Sequence, residues 1–128
     1  MSKPVGADVL YPELSYKIIQ IAFEVHNTLG PGFTEDIYEE ATVLDLQMHN
    51  IPVERQKIIR VTYKGQVMGT YRLDLVVDGK IILELKAVAA LNDVFKQQLL
   101  SYLKATGLHL GILINFGGKR VESVRIVN

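Results

Sequence analysis

Two acidic residues and one lysine lie in apolar stretches of the sequence, where a charged side chain is unfavourable. Glu84 and Lys86 belong to the apolar run 80–87, and Asp74 lies in the apolar run 71–77. Burying a charged group costs free energy unless the charge is paired or bound to a metal. Because side chains alternate along a strand, Glu84 and Lys86 share a face. Carboxylates on adjacent strands can share a hard cation, which prefers oxygen ligands. The pattern therefore favours a metal site, with a same-face ion pair of no function as the alternative.

The loop between the two strands decides whether the two acids meet. Asp78-Gly79 is a strong hairpin signal. A two-residue loop would put Asp74 and Glu84 on opposite faces of the sheet, whereas a three-residue loop would align them. The metal-site hypothesis therefore requires the longer loop or a bulge.

Two predicted helices carry further polar residues at helical spacing. Glu35 and Tyr38 are one turn apart, and Gln98 and Tyr102 lie on one face of a later helix. A structural interpretation is open for each: Glu35 suits the positive end of a helix dipole, and Tyr102 suits a core. Neither pair indicates a site by itself.

Two basic residues are candidates for an outer role around the acids. His26 lies near the end of the first predicted helix, and Arg72 has the same strand parity as Asp74. A rim salt bridge is the alternative for Arg72. The three histidines lack metal-ligand spacing, and the absence of cysteine excludes disulfides and thiolate-bound zinc.

Hydrophobic periodicity predicts three helices and five strands in the order ααβββαββ. This order indicates an α/β fold. We expect a loose arm over 1–12 and a single domain over 13–128. Within that domain the predicted helices are 13–29, 34–49 and 92–106, and the predicted strands are 53–63, 67–77, 80–87, 108–116 and 121–127.

Charge and hydropathy narrow the function classes. Fourteen basic and fourteen acidic residues give a formal net charge of zero, which argues against a protein that coats nucleic acid by bulk electrostatics. No apolar run approaches the roughly 18 residues of a membrane span. The first residues lack the continuous apolar segment of a signal peptide. We expect a cytoplasmic protein without a membrane partner.

Taken together, the spaced residues resemble the PD-(D/E)XK nuclease superfamily, and within it the GxxExxY branch. The branch motif corresponds to Gly32-Phe33-Thr34-Glu35-Asp36-Ile37-Tyr38, after a Leu29-Gly30-Pro31 lead-in. The superfamily motif corresponds to Asp74 followed by Glu84-Leu85-Lys86. The Gln-x-x-x-Tyr motif of RecB-like members corresponds to 98–102. The resemblance extends over about 13–127.

The resemblance implies a restriction-endonuclease-like αβββαβ core, with a mixed central sheet flanked by helices. It also implies Mg²⁺-dependent cleavage of nucleic acid, with DNA favoured and Mn²⁺ able to substitute. Lys86 would orient the attacking water or steady the developing charge, with Gln98 and Tyr102 positioning the reacting groups. The implied catalytic residues are Glu35, Asp74, Glu84, Lys86, Gln98 and Tyr102; the implied metal ligands are Asp74, Glu84, the Leu85 carbonyl and Glu35; the outer candidates are Tyr38, His26 and Arg72.

A non-catalytic module that keeps the nuclease fold and binds nucleic acid or protein is the alternative function. The clustered carboxylates favour the nuclease, since a binding module gains nothing from them. Zero net charge favours the module, or a nuclease that acts inside a complex. A homodimer or a larger assembly suits so small a nuclease.

Overall fold

The alternating apolar runs form a five-stranded mixed sheet with helices on both faces. The elements of the computed structural model, which describes residues 10–128, are α1 (Pro12–Leu29), α2 (Glu35–Met48), β1 (Val53–Tyr63), β2 (Gln66–Val77), β3 (Ile81–Lys86), α3 (Asp93–Thr106), β4 (Leu110–Asn115) and β5 (Glu122–Val127). The strand order is β1-β2-β3-β4-β5, with β3 and β4 parallel and the other neighbours antiparallel. The predicted α/β class and element order are confirmed.

The start of the described chain is attached to the domain. Of the predicted arm 1–12, residues 1–9 lie outside the described residues. Leu10 and Tyr11 pack against the core, and the Leu10 carbonyl accepts a hydrogen bond of 3.1 Å from the Arg125 guanidinium. Pro12 opens α1, one residue earlier than predicted, because proline is tolerated in the first helical turn.

Two apolar cores lie on the two faces of the sheet. On one face α1 and α2 cover Leu83 and Leu85 of β3, and on the other α3 covers Ile82. All six residues of β4 are buried, as expected for a central strand covered on both faces. Within the described range 10–128, no helix is long and apolar enough to cross a membrane.

The alternation of β2 reverses at Asp74. Leu73 packs in the α3-side core, whereas Leu75, two residues later, packs in the core under α1 and α2. Across from Asp74, Gln56 of β1 has a φ of 52° and is absent from the ladder, although the register is the same on both sides of it. The side chains of β2 therefore exchange sheet faces at Asp74, although neither strand of the β1–β2 ribbon contains an inserted residue there. Its outer part extends beyond β3, which pairs only with the last three residues of β2.

Candidate metal centre

The hairpin between β2 and β3 aligns Asp74 with Glu84. Asp78 and Gly79 both have positive φ, at 53° and 64°, and Val77 pairs with Ile81, which leaves a three-residue loop. Continuing this register places Asp74 across from Glu84. The longer loop that the metal-site hypothesis required is present.

The two carboxylates replace the backbone ladder at this point. The last ladder pair between β2 and β3 is Leu75 with Leu83. Beyond it the Asp74 N–H donates to Oε2 of Glu84 at 2.9 Å, and the Leu85 N–H donates to Oδ2 of Asp74 at 2.8 Å. Among residues 10–128, no hydrogen bond engages Oε1 of Glu84 or Oδ1 of Asp74. Each acid therefore keeps one oxygen for a further partner.

Burial makes ionisation of this acid pair costly. Glu84 is 6% exposed, and burial together with the adjacent Asp74 charge raises its pKa to about 8. Burial also raises the pKa of Asp74. No salt bridge within the described chain includes either acid. A bound cation would remove this penalty, since opposite charge favours the ionised form.

Lys86 lies next to the pair on the α3 side of the sheet. Its ammonium is 4.8 Å from the centroid of the Phe95 ring, a cation–π distance. Its charge lowers the pKa of both Asp74 and Glu84. Phe95, which was not a sequence candidate, thus holds the lysine beside the carboxylates.

Two acids of α2 act on the pair, the motif residue Glu35 and Glu39 one turn later. Glu35, the predicted ligand, is exposed at the first position of α2. Glu39 has a side chain only 12% exposed and raises the pKa of Asp74 more than Glu35 does. Glu35 is the α2 acid whose charge raises the pKa of Glu84. The described residues contain no cluster of three or more acidic or histidine side chains ready to hold a metal. Glu35 therefore stays a predicted ligand, and Glu39 is a residue that sequence reasoning missed.

Hydrogen bonds fix the position of Glu39. Its carboxylate accepts from the Arg55 guanidinium at 3.1 Å and from Nε2 of Gln56 at 2.7 Å. Gln56 is the left-handed residue across from Asp74. The spacing of Glu39 four residues after Glu35, on the same helix face, is the signal that could have identified it.

Tyr102 of α3 also lies close enough to the pair for the charges of both acids to act on it. The phenol is 6% exposed. Its pKa is raised to about 12, mainly by burial and further by the charges of Glu84, Tyr71 and Asp74. A hydrogen bond with the Gln98 side chain opposes this rise. Its ring centroid is 5.5 Å from that of Tyr71. Gln98, one turn earlier, is exposed on the same side of α3.

Tyr38 contacts the α1–α2 loop. Its hydroxyl donates to the Gly30 carbonyl at 2.5 Å and accepts from the Phe33 N–H at 3.2 Å. Its ring stacks on Phe116 at 4.6 Å. These contacts place the N-terminus of α2, and with it Glu35, relative to the sheet.

The two outer candidates have different surroundings. His26 is buried, and its Nε2 lies 2.8 Å from the Gly118 carbonyl, so it joins α1 to the β4–β5 loop. Arg72 is exposed on β2, two residues before Asp74. An outer role for either stays a prediction.

Asn115 organises the loop that follows Lys86. It pairs with Lys86 in the parallel register and is fully buried. Its Oδ1 accepts from the N–H groups of Val88 and Gly117 at 2.9 and 3.1 Å, and its Nδ2 donates to the carbonyl of Val88 and to Oε1 of Glu122, both at 2.9 Å. The side chain satisfies backbone groups that have no ladder partner, which a lone Asn in an apolar run does not reveal from sequence.

Replacing Asn115 with alanine should lower the free energy of unfolding by about 2–4 kcal/mol, because it leaves buried backbone groups unpaired. Denaturant unfolding measures the loss. Asn92→Ala is the matched control, since Asn92 caps α3 through one exposed hydrogen bond to the Phe95 N–H and should cost about 1 kcal/mol. A loss for Asn115→Ala no larger than that of the control would contradict this role.

Without a divalent cation, the protein should lose stability as pH rises from about 5 to 8. A glutamate ordinarily titrates near 4.5, whereas folded Glu84 holds its proton to about 8. Between these values the unfolded chain binds fewer protons than the folded one, so raising the pH favours unfolding. Denaturant unfolding in chelator from pH 5 to 9 measures the slope. Glu84→Gln should flatten it, and an unchanged slope in that variant would show that Glu84 is not the titrating group.

Comparisons with known proteins agree with this architecture. A family model described as the PD-(D/E)XK nuclease superfamily matches residues 12–127. A solved structure described as "Crystal structure of SSO0001" is 22% identical with a TM-score of 0.59, covering 73% of this chain and 49% of that chain. The chain thus spans about half the length of that structure, and the likeness shows the fold alone. No curated protein matches. Because the family match extends over nearly the whole chain, this protein belongs to the PD-(D/E)XK nuclease superfamily.

Proposed function

We propose that this protein is a divalent-metal-dependent nuclease of the GxxExxY branch that hydrolyses phosphodiester bonds of nucleic acid, with DNA as the favoured substrate. The observation that carries the proposal is the pair formed by half-buried Asp74 and buried Glu84. Each acid has one oxygen free of hydrogen bonds within residues 10–128, and neither is in a salt bridge there. Burial and mutual repulsion disfavour ionisation of the two acids, and a bound divalent cation would offset that cost.

The donor set fits a hard cation. Asp74, Glu84 and the Leu85 carbonyl would hold Mg²⁺ or Mn²⁺, with Glu35 adding a carboxylate from α2. All these donors are oxygen atoms, which Mg²⁺ prefers. When bound, the ion lowers the pKa of a coordinated water and stabilises charge on the scissile phosphate.

The surrounding side chains would position the reacting groups. Lys86, held against Phe95, places an ammonium where negative charge develops on the phosphate. Tyr102 and Gln98 line the same side of the sheet and would orient the water or a phosphate oxygen. Glu39, fixed by Arg55 and Gln56, keeps a further negative charge near Asp74 and so favours cation binding.

A cleavage panel tests the proposal. Single-stranded, duplex and branched DNA and RNA are incubated with purified protein in Mg²⁺, in Mn²⁺ and in chelator. We expect cleavage of at least one substrate with a divalent cation, no cleavage in chelator, and no cleavage by the Asp74→Asn variant. Binding of the same nucleic acids without metal-dependent cleavage would favour the non-catalytic module, which zero net charge makes the second candidate.

A further inference from the structure

A groove runs between the outer part of the β1–β2 ribbon and α3. Its inner cavity, of about 370 Å³, is lined by Val61, Tyr71, Gln98, Ser101, Tyr102 and Ala105. An adjoining cavity of about 340 Å³ shares Val61, Ser101 and Ala105 and adds Arg60, Thr62 and Lys104. The shared residues show that the two cavities adjoin, and we call them together the α3 groove.

The inner end of the α3 groove has an exposed aromatic wall. Tyr71 is 51% exposed and lies three residues before Asp74 on β2. Its ring is tilted by 51° to the Tyr102 ring at a centroid distance of 5.5 Å, so its outer face is not covered by stacking. The exposed amide of Gln98 beside it can both donate and accept hydrogen bonds. An aromatic face next to an amide suits a planar heterocycle such as a nucleobase.

The outer end of the α3 groove is cationic. Arg60 and Lys104 are exposed, and no salt bridge engages either of them in the part of the chain that the structure describes. The inner end lies beside the acid pair, whose charge acts on Tyr102. The groove is thus polarised, and a phosphate is attracted to the end remote from the carboxylates.

Small side chains keep the groove open. Gln98, Ser101, Tyr102 and Ala105 follow the i, i+3, i+4, i+7 spacing of one helix face, and that face of α3 borders the groove. Ser101 and Ala105 are both exposed. Because both residues line both cavities, a larger residue at either position would fill part of the groove.

We propose that the α3 groove binds an unpaired nucleic-acid strand, with a base against Tyr71 and a backbone phosphate at Arg60 and Lys104. A base inside a duplex has both faces covered and reaches such a wall only after unstacking. The proposal rests on the proposed nuclease function, because the strand bound in the groove would be the substrate of the metal centre. Its substrate class is then single strands or unpaired ends.

The absence of tryptophan from the sequence allows a direct test. In Tyr71→Trp the only tryptophan of the protein lies in the groove. In the control Tyr63→Trp it lies at the ribbon tip, at a residue that is 62% exposed. Both variants are titrated with oligo-thymidine and with a blunt hairpin duplex in chelator. We expect oligo-thymidine to quench the tryptophan fluorescence of Tyr71→Trp, with little change for the control and a weaker response to the hairpin. Equal quenching of both variants, or none, overturns the proposal.

Affinity measurements give a second test that does not depend on tryptophan. Tyr71→Ala should weaken binding of oligo-thymidine by about 5- to 150-fold, the usual effect of losing one stacking platform. Lys104→Gln should lower the slope of log affinity against log salt by about 0.7, the value for one single-strand phosphate contact. Lys17→Gln, on α1, is the charge-matched control and should change neither quantity.

A variant that fills the groove tests binding without removing a side chain from the core, so a loss of binding is not explained by misfolding. Ala105→Phe changes an exposed helix residue and should weaken oligo-thymidine binding while the melting temperature stays near that of wild type. Unchanged binding by Ala105→Phe, or a hairpin bound as tightly as the single strand, overturns the proposal. Quenching without metal-dependent cleavage would reject the nuclease and retain the groove, whereas cleavage without quenching would reject the groove and retain the nuclease.

Discussion

Replacing Lys86 with alanine should lower metal-dependent cleavage by about 10²–10³-fold, the usual effect of removing one group that stabilises charge in a transition state. The fold should persist, because Lys86 is only partly buried and forms no salt bridge within residues 10–128. Initial rates in Mn²⁺ measure the loss, and thermal melting checks the fold. The best substrate of the cleavage panel is used for both enzymes.

The matched control for this variant is Lys80→Ala. Lys80 lies in the β2–β3 loop and pairs at 3.3 Å with Asp78, both of them on the surface, so its loss should leave the cleavage rate within about twofold, since exposed pairs contribute little. Lys86→Arg separates charge from shape, because guanidinium keeps the charge in a different geometry. Cleavage at the wild-type rate by Lys86→Ala would refute the assigned role.

A divalent cation should stabilise the wild-type protein and not Asp74→Asn. At a hundredfold excess over its dissociation constant, a ligand that binds only the folded state adds about 2.7 kcal/mol, which for a domain of this size is a rise on the order of 10 °C in melting temperature. Asn at position 74 can still accept the hydrogen bond from the Leu85 N–H, so the metal-free melting temperature should rise or stay unchanged as the repulsion with Glu84 disappears. Melting curves in chelator and in millimolar Mn²⁺ measure both effects.

Asp78→Asn is the control for this prediction. It removes an acid from the same hairpin without touching the pair, and asparagine tolerates the left-handed backbone of position 78. Its Mn²⁺ response should equal that of wild type. A structural ion pair at Asp74 predicts the opposite pattern: no Mn²⁺ effect in wild type and a clear loss of stability in Asp74→Asn.

Local sequence signals were enough to predict the helices and strands and to suggest a metal site. All eight helices and strands lie within about two residues of their predicted bounds, because apolar spacing and turn residues act over one or two turns of chain. Acids inside apolar runs identified Asp74 and Glu84, since such charges are disfavoured there by burial alone. The same residues carried the resemblance to the superfamily that the family match confirms.

The tertiary structure alone decided how those residues meet. The turn at Asp78-Gly79 is compatible with two loop lengths, and pairing across the sheet selected the longer one. Strict alternation of side chains along β2 could not reveal that the faces are exchanged at Asp74. That exchange depends on the irregular pairing of β1 with β2 across from Gln56. Helix packing brings Glu39, which the motif does not include, close enough for its charge to act on Asp74. The sequence by itself determined which groups are costly to bury, whereas the strand register and helix packing decided which of them share a site, because those depend on contacts between residues far apart in the chain.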